Sequence, residues 1–165
     1  MADPIKEICK IVKHELELTD NQIWIYNQKW DVPNDFGTYY VVSLMGQRII
    51  GNVCREKPIE TGMLSYQSVH CLGNYVIDLF SRSSNAREAL YKVLMALNST
   101  YAQQVQEANG FQIARNSFQV TNTSEVEGVA ELTRFSISFN VTYMSELYKS
   151  IDYFDTFDKE VITEE

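Results

Sequence analysis

Residues 134–143 read RFSISFNVTY. Large apolar residues occupy every second position, and small or polar residues separate them. This period of two is typical of a β-strand with one buried face. The apolar face comprises Phe135, Ile137, Phe139, Val141 and Tyr143, and the polar face comprises Arg134, Ser136, Ser138, Asn140 and Thr142. The polar face either contacts solvent, as is usual in antiparallel sheets, or forms the wall of a channel or an interface.

Length and composition predict one globular domain spanning 1–165. The chain is 45% hydrophobic and 22% charged, which is typical of a soluble domain with a buried core. No apolar run approaches the ~20 residues of a membrane helix. The first residues, MADPIKEICKIVKHELE, lack the apolar region of a signal peptide. We therefore expect synthesis in a cytosol, and we divide the domain into an N-terminal part (1–36), a centre and an acidic aromatic extension (145–165).

The net charge and the aromatic content limit the classes of function that suit this chain. A net charge of −8 argues against nucleic-acid binding, which depends on Lys and Arg that neutralise phosphates. The same charge suits a conduit, because an acidic wall repels DNA that passes it. Ten tyrosines supply apolar area with a polar tip, which suits either the core or a surface that becomes buried in a complex.

Apolar spacing in the first half predicts a helix and a long hairpin. Ile5, Ile8, Val12 and Leu16 recur at helical spacing, and Asp3 and Pro4 precede or open that helix over 4–17. A short strand is predicted at 23–26. Two long β segments follow over 38–56 and 63–82, joined by a turn at 57–62, with bulges predicted at Gly46, Gly51 and Gly73.

The second half is predicted to contain one main amphipathic helix and further strands. The helix begins after the caps Ser83-Ser84-Asn85 and continues to about 108, where Asn109-Gly110 ends it. A strand over 111–121, a polar loop over 122–131, the opening strand and a short strand near 150–155 follow. The predicted fold is α+β: a mostly antiparallel sheet with a long hairpin, the main helix packed on one face through Leu90, Leu94, Leu97 and Tyr101, and an N-terminal helix.

No motif for catalysis or cofactor binding is present in the sequence, so we predict no catalytic residues, no metal and no cofactor. Cys9, Cys54 and Cys71 are odd in number and widely spaced, which indicates buried free thiols. Cys54 with His70 and Cys71 lacks the paired spacing of a zinc site. A deep pocket that gathers Asp78, His70 and Arg82 would favour an enzyme or a ligand-binding module.

Several segments together resemble the neck or tail terminator proteins of long-tailed bacteriophages. The resemblance covers roughly 37–157 and rests on GTYYVVSL, NYVIDLFSRSSNAREALYKVLMALNS, NGFQIARNSFQV, ELTRFSISFNVTY and IDYFDTF. It implies a virion structural protein rather than an enzyme. Such proteins form a ring, typically a hexamer, that ends the tail tube and joins it to the head-completion or connector proteins.

The resemblance implies partners and a location for this chain. The partners are further copies of the chain, the tail tube protein and the head-completion or connector proteins, while DNA passes through the ring without specific binding and no membrane is involved. The location is the neck or tail of the virion, assembled in the host cytoplasm. One alternative is another connector, stopper or tail-tube-like subunit, and a more distant one is a small cytosolic α+β enzyme or ligand-binding module.

Two sets of residues are predicted to make contacts in such a particle. The polar face Arg134, Ser136, Ser138, Asn140 and Thr142 is a candidate channel or interface wall. The segment IDYFDTF alternates aromatic and acidic side chains, which suits the addition of a strand to a neighbour's sheet or docking on a basic surface. Its candidate docking residues are Asp152, Tyr153, Phe154, Asp155 and Phe157.

Overall fold

The computed structural model contains one long-stranded sheet with helices on one face. The structure describes residues 3–26, 33, 35–59, 62–83, 85–127 and 130–151. The helices are α1 (Pro4–Glu15), α2 (Ala86–Leu97) and α3 (Thr100–Asn109). The strands are β1 (Ile23–Ile25), β2 (Thr38–Ile59), β3 (Gly62–Ser81), β4 (Phe111–Ile113), β5 (Gln119–Asn122), β6 (Glu125–Glu127) and β7 (Ala130–Ile151). The predicted α+β class, N-terminal helix and long hairpin are confirmed.

The centre of the sheet is formed by the three long strands β2, β3 and β7. The strand order is β1-β2-β3-β7-β4, and β5 and β6 pair with other parts of β7. β1 runs parallel to β2, and the remaining pairs of described strands are antiparallel. β3 is therefore flanked on both sides along its length, by β2 from Thr38 to Ile59 and by β7 from Thr133 to Ile151.

The N-terminal helix begins as the sequence predicts. The Asp3 side chain accepts a hydrogen bond from the Ile5 N–H at 3.3 Å, and Pro4 occupies the first turn, where its missing N–H is not needed. The helix ends at Glu15, two residues before the predicted end at 17. Its residues Ile8, Ile11 and Val12 are fully buried, so this helix is part of the core.

The prediction of one continuous helix to 108 is wrong, because the chain forms two helices separated at Asn98 and Ser99. The Asn98 side chain donates to the Leu94 carbonyl at 2.8 Å at the end of α2. The Ser99 hydroxyl accepts the Ala102 N–H at 3.0 Å and begins α3. These polar side chains compete with the helical backbone bonds and so permit the break. Gly110 ends α3 with a φ of 68°, as predicted.

The hairpin confirms two predicted bulges and contradicts the third. Register shifts occur between Leu44 and Gly46 and between Ile49 and Gly51. Gly73 instead pairs regularly with β2 and β7. A Cβ atom at Gly73 would lie 2.7 Å from Cε2 of the Tyr75 ring, so this glycine makes room for a buried side chain. The predicted turn over 57–62 is also too long, because pairing continues until Ile59 meets Gly62.

The predictions for 111–131 require two corrections. The predicted strand over 111–121 is divided into β4 and β5 by a 3-10 turn at Arg115–Ser117. The Ser117 hydroxyl donates to the Ala114 carbonyl at 2.6 Å and accepts the Asn140 N–H at 2.9 Å, which holds the turn against β7. The predicted loop over 122–131 contains β6, which forms a hairpin with the beginning of β7.

The opening strand is longer than predicted, because β7 continues without interruption from Ala130 to Ile151. Residues 145–151 of the predicted extension belong to it, and the rest of the predicted short strand near 150–155 lies outside the described residues.

The core lies between the apolar face of the sheet and the three helices. On β7, Ile137, Phe139 and Val141 are at most 1% exposed, as their spacing predicts. Phe135 and Tyr143 are half-buried at the two ends of that face. Leu90 and Leu97 of α2 are buried in the same core, and Leu94 and Tyr101 pack against it, so the predicted contact of the helical stripe with the sheet is confirmed.

Candidate functional site

The predicted polar face of β7 lies opposite the helices and is partly covered. All five of its side chains are half-buried. The register with β3 places Asp78 beside Ser136, Val76 beside Ser138 and Asn74 beside Asn140. The face is therefore a shallow mixed surface shared by neighbouring strands and not an isolated polar stripe.

One end of this face is held by an internal ion pair. Arg134 Nη2 lies 3.3 Å from Asp78 Oδ2, and the Ser136 hydroxyl donates to Asp78 Oδ1 at 2.5 Å. The Arg134 guanidinium also lies 5.0 Å from the centroid of the Phe80 ring, a cation–π distance. Arg134 and Ser136 therefore contribute to the packing of this end of the sheet.

A small aromatic cluster covers the same end. Tyr39, Val41 and Phe80 are buried there, with Trp24 and Leu132 packed against them. The Tyr39 hydroxyl donates to the Asp35 carboxylate at 2.7–2.8 Å, and this bond holds the pKa of Asp35 below its ordinary value. The part of the predicted wall that is free of this cluster is the segment with Ser138, Asn140 and Thr142.

Asp78, His70 and Arg82, whose gathering in one pocket would favour an enzyme or a ligand-binding module, are not brought together. Asp78 and His70 lie on the same strand, eight residues and roughly 26 Å apart at ~3.3 Å per residue. His70 borders an open groove with Cys71 and Tyr143, and neither Asp78 nor Arg82 lines it. No group of three or more His, Cys, Asp or Glu side chains that would suit a metal ion occurs among the described residues.

The cysteines differ from one another in exposure. Cys71 is buried and Cys9 is half-buried, while Cys54 is exposed on β2, so the prediction of three buried thiols is wrong for Cys54. Burial raises the pKa of the Cys9 thiol to about 12. Since the thiolate is the reactive form, exposed Cys54 is the accessible thiol among the described cysteines.

The three central strands extend beyond the helices as a ribbon, which we call the arm: residues 45–59, 62–72 and 144–151. We call the helix-covered remainder of the fold the body. No residue of β2 from Leu44 to Pro58, and none of β7 from Thr142 to Ser150, is buried. The β2 part of the arm has 15 residues, two of them at bulges. At ~3.3 Å per paired residue it extends roughly 40–45 Å. The β7 part of the arm does not follow from the sequence because the alternation fades after Tyr143, although MSELYKSI still contains four apolar or aromatic positions.

Both edges of the arm are open. Beyond the three residues that pair with β1, the outer edge of β2 has no strand partner among the described residues, and the same holds for β7 after Tyr143. Large apolar side chains are exposed on these two strands: Met45 at 70%, Ile49 at 67%, Ile50 at 53%, Leu147 at 60% and Tyr148 at 59%. Long open edges with exposed apolar side chains are surfaces to which another chain can add.

The middle of the arm carries a small polar and aromatic group. The Tyr66 and Tyr148 rings lie 5.1 Å apart, and the Tyr66 hydroxyl donates to Glu146 Oε1 at 2.9 Å. The pKa of Tyr148 is raised, first by desolvation and then by the Glu146 charge. These contacts join β3 to β7 on one face of the arm.

The predicted docking residues Asp152, Tyr153, Phe154, Asp155 and Phe157 lie outside the described residues. β7 leads to them: it ends at Ile151, which pairs with Met63 near the end of the hairpin. None of the described helices has the length and apolar character required to span a lipid bilayer.

Comparison with known proteins gives matches among solved structures. No protein-family model matches the chain, and no curated protein matches it. The PVC sheath/tube terminator of an extracellular contractile injection system, in its extended state, is similar over 100% of this chain and 65% of its own length, at 12% identity and a TM-score of 0.43. A chain of the virion of a native gene transfer agent particle is similar over 81% of this chain and 92% of its own, at 13% identity and a TM-score of 0.33.

This chain thus spans 65% of the length of that terminator chain. Both TM-scores lie below the value at which two chains are taken to share a fold, so neither likeness identifies the function of this protein.

Proposed function

We propose that this protein is a structural subunit of a phage-like virion that assembles into a ring, ends the tail tube and joins it to the head-completion or connector proteins. The ring is a hexamer in this proposal and leaves a channel for DNA. The observation that carries the proposal is the arm, which exposes two different open edges on opposite sides of one subunit.

Two different edges on one subunit favour a closed assembly. When one surface of a subunit contacts a different surface of the next, the contact repeats around an axis and closes into a ring if the rotation permits. The β2 edge and the β7 edge are two such surfaces. The exposed apolar side chains on them provide area that a neighbouring copy would bury.

The charge and the sequence resemblance support the tail position. A net charge of −8 lets a ring surround DNA without adhesion, because like charges repel. In this proposal the wall that faces the channel or the next subunit includes Ser138, Asn140 and Thr142, the part of the predicted polar face that is free of the aromatic cluster. The resemblance of 37–157 to tail terminators supplies the specific role.

The experiment is native mass spectrometry of the concentrated full chain, with negative-stain microscopy of the same sample. We expect closed rings with a central hole. The arm variants Ile50→Asp and Leu147→Asp should be monomers with unchanged circular dichroism. The matched control is Met95→Asp on α2, which introduces the same charge at a side chain that is 64% exposed but lies on the body; it should form rings.

Other results would change the assignment in defined ways. A wild-type monomer that still binds the ends of purified tail tubes would remove the free ring and keep the terminating role. Rings that bind a head-completion protein but no tube would place the chain among connectors or stoppers. A monomer that binds neither would contradict the proposal and leave the enzyme or ligand-binding module.

A further inference from the structure

We infer that the segment after β7, residues 152–165, adds as a strand to the open β2 edge of the arm of a neighbouring copy. This inference rests on the proposed function in one respect, namely that the contact joins two copies. It names the surface that receives the predicted docking segment, which the sequence did not identify.

The charges of the two surfaces are complementary. On β2, Arg48, Arg55 and Lys57 are exposed, and none of them has an ion-pair partner among the described residues. Glu56 is the one acidic residue of β2. The segment 152–165 contains six acidic residues and one lysine. In a chain of net charge −8, this basic edge is therefore a distinct site for an acidic segment.

The bulge between Ile49 and Gly51 places the three cations on one face of the arm. Arg48 pairs with Leu72, Arg55 with Tyr66 and Lys57 with Leu64, and Leu72, Tyr66 and Leu64 point to the same face because they are separated by even numbers of residues. The opposite face of β2 carries Ile49, Asn52, Cys54, Glu56 and Pro58, which pair with the odd-numbered residues of β3. One face of this edge is thus basic, and the other is largely uncharged.

Alternate residues of the docking segment, 152–165, also form two sets that differ in charge. One set of alternate positions contains Asp152, Phe154, Thr156, Asp158 and Glu160, and the other contains Tyr153, Asp155, Phe157, Lys159 and Val161. As an added strand, the first set would lie over the basic face and the second over the face with Ile49 and Cys54. In that arrangement Lys159 shares a face with Glu56. The first set carries three of the four carboxylates of 152–161, and the charges of Asp155 and Lys159 in the second set cancel, so the period of two matches the net charge of each face.

The β2 edge is the better acceptor of the two open edges. The β7 edge carries one acidic and one basic residue, Glu146 and Lys149, and so offers no net attraction. β3 also separates β7 from β2 by roughly 10 Å, two strand spacings. A segment would therefore have to cross the arm to reach the β2 edge of its own copy, whereas the segment of a neighbour would not.

Exposed Cys54 provides a direct test in the full chain. Single cysteines introduced at 152, 153, 154, 155, 156 and 157 are oxidised under mild conditions, and the products are separated on a non-reducing gel. Each variant is also made in a Cys54→Ser background as the matched control. We expect covalent dimers and higher multimers that depend on Cys54, with yields at 153, 155 and 157 several-fold above those at 152, 154 and 156, because the odd positions share the face of Cys54.

A charge test sharpens the result. The double variant Arg48→Glu/Arg55→Glu should lower the cross-linking yield roughly fivefold, as expected for two surface ion pairs. The control Lys6→Glu/Arg87→Glu makes the same charge change at exposed body residues and should leave the yield unchanged. Added salt should lower the wild-type yield.

The failures of this inference and of the proposed function are distinguishable. Rings without Cys54-dependent cross-links would overturn the inference and leave the function standing. Cross-links to Cys54 that form only within one chain would place the segment on the arm of its own copy. That result would overturn the contact between copies. Equal yields at all six positions would show random collision and overturn strand addition.

Discussion

The body and the arm are built from the same three strands, yet they are stabilised in different ways. In the body, the central strand β3 buries Tyr75, Ile77 and Leu79 under the helices. In the arm, the buried residues of the same strand include Ser65 and Ser68, at 3% and 1% exposure. Serine occupies these positions because the neighbouring strands alone can cover so small a side chain.

This difference shows that burial in a sheet does not by itself indicate a core. The body combines hydrophobic burial with strand pairing, whereas the arm depends mainly on its backbone ladder and leaves several of its large apolar side chains exposed. We therefore expect substitutions in the body to change the free energy of unfolding and substitutions in the arm to change assembly. The following experiments test that division, in order of decreasing effect.

The largest expected effect is that of Phe139→Ala in the body. Phe139 is 1% exposed, and its ring lies 5.5 Å from Phe118 and 6.3 Å from Tyr75. Removal of the ring leaves a cavity, so we expect the free energy of unfolding to fall by about 3–5 kcal/mol. Urea unfolding followed by circular dichroism measures this change.

The control is Leu147→Ala, eight residues further along β7 on the same side of the strand. Leu147 is 60% exposed, so the change should be below about 0.5 kcal/mol. Equal losses at the two positions would mean that the arm has a core of its own, which would contradict the division.

The second experiment compares two glycines near the junction of the body and the arm. A Cβ at Gly73 would lie 2.7 Å from the Tyr75 ring, while a Cβ at Gly46 has nothing within 4 Å. Because Tyr75 is fully buried and cannot move aside, Gly73→Ala should cost about 1–3 kcal/mol. Gly46→Ala should leave the free energy of unfolding almost unchanged in the same thermal or urea assay. A loss as large as that of Gly73→Ala would show that the bulge itself requires glycine.

The third experiment uses alkaline pH to examine the body. Burial raises the pKa of Tyr40 to about 12, above its ordinary value of about 10 in the unfolded chain. Between these two pH values the Tyr40 hydroxyl is ionised in the unfolded chain but still protonated in the folded one. The contribution of Tyr40 to the free energy of unfolding is therefore fully present below pH ~10 and is lost as the pH rises through ~12. The Tyr40 contribution to this loss is about 2 kcal/mol by pH ~12.

Urea unfolding at a series of pH values measures the loss, and Tyr40→Phe provides the comparison. The variant keeps the ring and removes the titrating hydroxyl, so its stability should fall less steeply between pH ~10 and ~12. Identical slopes for the two proteins would exclude Tyr40 as a source of the alkaline loss.

The smallest effect concerns the break between α2 and α3 above the body. Ser99→Ala removes the hydroxyl that accepts the Ala102 N–H, which should cost about 1 kcal/mol. Ser99→Asp keeps an acceptor at this position and should restore most of the loss. If Ser99→Ala were instead stabilising, the helices would favour the continuous form that their spacing predicts.

The sequence predicted the body better than the arm for a physical reason. Alternation and helical spacing occur where one face of an element packs against a core. They therefore predict the buried face of Ile137, Phe139 and Val141 and the helical stripe of Leu90 and Leu97. The two β segments predicted over 38–56 and 63–82 contain most of the β2 and β3 parts of the arm. The continuation of β7 to Ile151 and the exposed faces do not follow from periodicity, because most of the arm lies outside the helical layer and β2 changes phase at two bulges. The sequence predicts a bulge at Gly73 because it does not show that the Tyr75 ring needs the space.

The candidate site was predictable only in part. The polar positions of RFSISFNVTY were placed on the correct strand, but their contact with Asp78 and the covering cluster around Tyr39 depend on strand order. The break at Asn98 and Ser99 depends on local side-chain bonds that outweigh a continuous apolar stripe.

The most direct test of the division is amide hydrogen exchange in residues 45–58 of β2, measured on dilute and on concentrated protein. We expect the amides on the open edge, which do not donate to β3, to exchange quickly in the dilute sample and to become protected at least tenfold in the concentrated one, while the slow amides of 75–81 stay unchanged. If 45–58 exchange equally fast at both concentrations, the arm is not the surface through which this protein assembles.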